Sequence, residues 1–163
     1  MDLIDRLLEH DHWATTQVLE TCRGLTDAQL DQEFDIGHRT LRNTLEHMIF
    51  NIEAWGAMMA GQRPNMDRSD RSLDGLIARH ERAHAAFAAV ARQARDEGRL
   101  DDTYRDHFGL STTLGGTILH VPYHNVEHRG EALHILQRLG VPDLPEIDPL
   151  LWEHETQHDE APR

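Results

Sequence analysis

The chain has 163 residues, about one domain's worth, and a domain of that size buries roughly 70% of its unfolded surface without help from a disulfide or a structural metal. Acidic residues outnumber basic ones 29 to 16, for a formal net charge of −13, and every basic residue is an arginine; such a surface repels phosphate backbones and argues against nucleic acid as a partner. One cysteine, Cys22, excludes an internal disulfide and a thiolate cluster. A lone thiol fits a reducing compartment, and Met1 to Arg6 mixes charged and apolar residues instead of opening a signal peptide. No apolar run approaches the ~18 residues of a membrane span. The expectation is a soluble, cytoplasmic protein with no membrane partner.

Leu3, Leu7, Leu8, Ala14, Val18 and Leu19 keep helical spacing from residue 2 to about 22, where Gly24 is a natural stop. Leu25 to Leu30 reads as a short helical turn within a connector. A second long helix begins near Thr40; Leu41, Leu45, Met48, Ile52, Trp55 and Met59 form one apolar stripe, ended by Gly61 and Pro64. After a polar connection, a third runs from about Ser72, its N-cap, to Gly98, with Leu73, Leu76, Ile77, Phe87 and Val90 facing the core. Tyr104 to Leu114 suits a short hairpin or irregular loop. The fourth long helix covers roughly 117–139, with Pro122 expected to kink or start it. The segment 146–163 reads as a charged, proline-containing tail, with a short helix around Leu150–Gln157 and then fraying. The fold class is therefore all-α, a four-helix bundle over residues 1–145 with that tail appended.

Thirteen histidines are the compositional feature that needs explaining. Residues four apart on a helix lie on one face with Cβ atoms about 6 Å apart, a spacing that lets two imidazoles converge on one cation. Roughly one such pair arises by chance at this composition. The chain has four: His80/His84, His120/His124, His124/His128 and His154/His158. The first and last match the H-E-x-x-H zinc-protease string. The first copy is read as histidines hydrogen-bonded across the bundle, because the chain has no protease-like sheet. The last lies too near the end of the chain for a third ligand to follow. His120, His124 and His128 instead share one face of a core-forming helix. The string His124-Asn125-Val126-Glu127-His128 also matches the inverted zinc-protease motif, but that fold is much larger. His47 sits one residue from the second helix's apolar stripe, at the edge of the core. His10 and His12 alternate around the first helix and are read as surface or core-edge residues.

Taken in order, Leu7 to Trp13-Ala14, Leu25-Thr26 with Leu30, Leu45-Glu46-His47 leading to Trp55, His120-x-x-x-His124-x-x-x-His128-Arg129-Gly130 and Leu136-x-x-Leu139-Gly140 resemble the DinB/YfiT-like family of metal-binding four-helix proteins. The resemblance implies an up-down-down-up bundle, frequent homodimers and one divalent metal ion on His47, His124 and His128. His120 is not a usual ligand, and Glu131 stands where the family often has glutamine. Zinc or nickel is expected first, with iron, manganese or copper as alternatives. Three neutral imidazoles with a fourth position open would activate a bound water or hold a thiolate. The implied functions are thiol-dependent S-transfer, with a low-molecular-weight thiol such as bacillithiol or mycothiol as cofactor, or hydrolysis of a small-molecule substrate. A non-catalytic metal-binding stress protein is the contrasting reading. Arg129 is a candidate for receiving anionic groups of a cofactor, or else for a helix-surface ion pair with Glu127 or an aspartate. Glu46, Glu127 and Glu131 are candidates to orient the ligands.

Overall fold

The computed structural model describes residues 1–159, with side chains to Thr156. It is mostly helical, with one short sheet. The order is α1 (Leu3–Thr21), a 3-10 turn (Cys22–Gly24), α2 (Asp27–Leu30), α3 (Leu41–Met59), α4 (Leu73–Asp96), β1 (Thr103–Arg105), β2 (Ser111–Thr113), α5 (Leu114–Arg138) and α6 (Pro149–Asp159). Each long helix begins where a short polar side chain caps it. Asp2 accepts from Asp5 N at 2.9 Å, Thr40 from Asn43 N at 3.1 Å, Ser72 from Gly75 N at 3.0 Å and Thr113 from Gly116 N at 2.9 Å. The Thr113 cap explains why α5 begins at Leu114, a few residues before the point its apolar periodicity suggests. The helix therefore runs through Pro122 and does not start there.

α3 packs against both α4 and α5, and α1 closes the other side against α5 and α4. Leu8, Val18 and Leu19 of α1 meet Leu45, Ile49 and Ile52 of α3, Leu76, Phe87 and Ala91 of α4, and Ile118, Val121, Ile135 and Leu136 of α5 in one buried cluster. β1 and β2 pair antiparallel, Thr103 opposite Thr113, as the turn residues of 104–114 suggest. α6 is seated on α1: Trp152 is buried, His10 Nε2–H donates to the Ile147 carbonyl at 2.9 Å, and Arg6 pairs with Glu153 at 2.7 Å.

The first H-E-x-x-H copy serves this packing. His84 Nε2–H donates to the Leu8 carbonyl at 3.1 Å, and His80 shares a proton with His12 across 3.2 Å. Glu81 is exposed, on the outer side of the pair. In the second copy the His158 side chain lies outside the described residues. Burial, then repulsion from His12 and His84, pushes the His80 imidazole down to about 3, and burial also lowers His84. Because the folded value lies below the ordinary ~6.5, the unfolded chain binds more protons between those two values, and stability falls as pH drops through that window. In metal-free protein, His80→Leu should flatten the slope of melting temperature against pH between 6.5 and 4, whatever its effect at pH 8. An unchanged slope would contradict the assignment.

Candidate metal centre

His47 projects from the middle of α3, and His124 and His128 from one face of α5. The tight packing of α3 against α5 is what lets these side chains meet. His47 Nε2 is 3.1 Å from His124 Nε2, and His128 Nε2 is 3.2 Å from the same atom. Two nitrogens each about 2.0–2.1 Å from one tetrahedral ion stand about 3.3–3.4 Å apart. The rings approach at steep mutual angles, 83° between His47 and His128 and 65° between His124 and His128. His47 and His124 are tilted at 42°, and His124 Nε2 is the atom that stands within 3.2 Å of a nitrogen of both other rings.

The protonation pattern fits a cation there. His128 Nδ1–H donates to Glu131 Oε2 at 2.7 Å, which turns the Nε2 edge of the ring toward His124. Burial pushes His47 and His124 each down to about 4, with the neighbouring imidazoles adding repulsion, so both are neutral near pH 7. Neutral imidazole nitrogens are the form that binds a divalent cation, and the buried His124 Nδ1 has no hydrogen-bond partner among the described residues.

Sequence reasoning missed His38. It stands in the loop before α3, and His38, His47 and His128 form a group able to hold a metal ion, their ligand atoms all within 4.8 Å of one another. Its ring is stacked on His47, 3.9 Å between centroids and 29° between planes. Nothing periodic marks this residue. The loop places it through left-handed backbone at Gly37 (φ 46°) and Arg39 (φ 71°), closed by Phe34 N donating to the Arg39 carbonyl at 2.7 Å.

Of the three glutamates considered for orienting the ligands, only Glu131 touches one. Glu46 is held by Arg68 and Arg71 at 2.9 and 3.0 Å, and Glu127 is exposed. Gly37 makes room for Glu131, since a Cβ at position 37 would lie 2.1 Å from Glu131 Oε2. Glu131→Ala and Gly37→Ala should each weaken metal binding about 10–100-fold. Glu131→Gln keeps an acceptor oxygen and should lose much less. Titration against a chromophoric chelator checks the ranking.

His120 lies one turn before His124, its ring 5.1 Å from that of Trp55 and 5.5 Å from that of His124. Arg129 is engaged inside the fold. It is almost wholly buried and paired with Asp11 of α1, so its partner is an aspartate, as one alternative had it, but the pair lies inside the fold and not on the helix surface.

Long helices that bring several neutral histidines together around one point, with a carboxylate behind one of them, define a helical protein with a candidate divalent-metal centre. The chain matches the model of the DinB family over residues 1–160, essentially its whole length, and belongs to that family. No curated protein matches it significantly.

Proposed function

We propose that His47, His124 and His128 hold one divalent metal ion, zinc or nickel before iron, manganese or copper, and that the site serves thiol-dependent S-transfer to a small molecule. What supports the metal reading is that His124 Nε2 lies 3.1 Å from His47 Nε2 and 3.2 Å from His128 Nε2, with the far nitrogen of His128 bonded to Glu131. Three neutral ligands leave the ion its full positive charge, which would stabilise an incoming thiolate. The thiol must come from outside the chain. Cys22 is buried, donates to the Val18 carbonyl at 3.2 Å, and burial pushes its thiol up to about 12.

We read the four long helices as an up-down-down-up bundle over residues 1–145, with 146–163 appended, acting in the cytoplasm and without nucleic acid. Leu119, Tyr123 and Val126 follow one another along an exposed face of α5, beside Leu3 and Leu150, which suits a homodimer contact. Tyr123→Arg should then halve the mass measured by light scattering. Among the described residues no helix is long and apolar enough to cross a membrane.

The functional test incubates metal-loaded protein with bacillithiol or mycothiol and monochlorobimane. Conjugation well above a His124→Ala control supports transfer. Ester hydrolysis without conjugation would move the reading to a hydrolase. Neither activity, with metal retained, would leave a metal-binding protein that is not catalytic.

A further inference from the structure

A cavity of about 450 Å³ opens directly beside His47 and His124, within the size range of small-molecule sites. Phe50, Trp55 and Met58 of α3 form one wall, and His107 and Phe108 at the hairpin tip form another. Trp55 stands edge-on to His107 at 5.6 Å and 65°, and to His120 at 5.1 Å and 68°. Steeply angled rings of this kind leave a slot that suits another flat ring.

Charge sharpens the assignment. The chain carries 29 acidic and 16 basic residues, yet none of the eleven residues lining this cavity is Asp, Glu or Arg. A charged guest would lose its hydration with no partner to replace it. The polar side-chain groups are the histidines, the Trp55 indole N–H and Asn51, whose buried side-chain amide nitrogen has no hydrogen-bond partner among the described residues. A buried donor in that state calls for an acceptor from outside.

We infer that this cavity binds an uncharged aromatic group of the substrate, with an acceptor oxygen on Asn51 and the reacting end at His47 and His124. This inference rests on the metal reading above for the position of the reacting end, while the aromatic slot itself stands on the cavity. In the transfer reading the occupant is the electrophile, because the low-molecular-weight thiols are polar. Phe108, 72% exposed at the cavity's rim, is the wall most easily altered without touching the core.

Calorimetry with two metal-binding probes tests this on the metal-loaded chain: benzohydroxamate, which carries a ring, and acetohydroxamate, which lacks one. Benzohydroxamate should bind at least tenfold tighter. Phe108→Ser should cut that preference at least threefold, and Ala54→Phe, which fills the slot, should abolish it with the metal content unchanged. Equal binding of the two probes by fully loaded wild-type protein would overturn the inference and leave the metal reading standing. If the chain retains no metal, the metal reading fails separately, and 1-naphthol titrated into metal-free protein decides. Tryptophan quenching that Trp55→Phe and Ala54→Phe both diminish supports the slot; quenching identical in all three proteins rejects it.

Discussion

His124→Ala should reduce bound metal from about one ion per chain to a trace, with an affinity loss greater than the roughly 10–100-fold that follows removal of a residue behind a ligand. His124 Nε2 lies between the other two nitrogens, 3.1 Å from His47 and 3.2 Å from His128, so its loss takes away the atom that both approach. His38→Ala is the informative comparison. His38 forms a triad with His47 and His128, their ligand atoms all within 4.8 Å of one another. Its ring stacks on that of His47, whereas His124 Nε2 stands within 3.2 Å of a nitrogen of each of the other two. The expected order of metal loss is therefore His124→Ala far above His38→Ala, read by elemental analysis of purified protein, with circular dichroism checking that both variants stay helical. The reverse order would transfer the site to the loop histidine and remove His124 from the ligand set.

The difference between those two histidines also shows what a one-dimensional pattern can carry. His124 and His128 were visible because helical spacing puts them on one face, and His47 because it borders an apolar stripe and falls in a family motif. The helix start near Thr40, the cap at Ser72 and the hairpin near 104–114 were visible for equally local reasons. His38 has no such spacing; its position depends on two left-handed residues and on a loop closing over α3. The choice of Glu131 over Glu46 depends on where Arg68 and Arg71 reach, and those lie in the irregular segment between α3 and α4. Arg129 posed the hardest case. Beside Glu127 on a charged chain it looked like a surface residue, and only the closeness of α1 to α5 shows it to be buried.

That buried arginine underlies the second large effect, the loss of stability in Asp11→Leu. Arg129 is 1% exposed and Asp11 3% exposed, and the guanidinium also donates to Thr15 Oγ1 at 3.0 Å while Asn125 donates to Asp11 Oδ2 at 2.9 Å. Removing one member strands the other charge out of water, which costs about 3–5 kcal/mol. For a chain of this length each kcal/mol lowers the melting temperature by about 2–4 °C, so a fall of roughly 6–20 °C is expected. The double variant Asp11→Leu/Arg129→Met should recover most of the loss, since an apolar pair of similar volume is often neutral. Metal binding separates this pair's two roles. Asn125 and Arg129 flank His128 on α5 and both engage Asp11, so the network fixes the rotation that turns His124 and His128 toward α3. If that is its structural purpose, the double variant regains thermal stability and yet binds metal more weakly than the wild type. A double variant that recovers both would show that apolar packing alone orients α5, and that the buried charges contribute only to holding α1 in place.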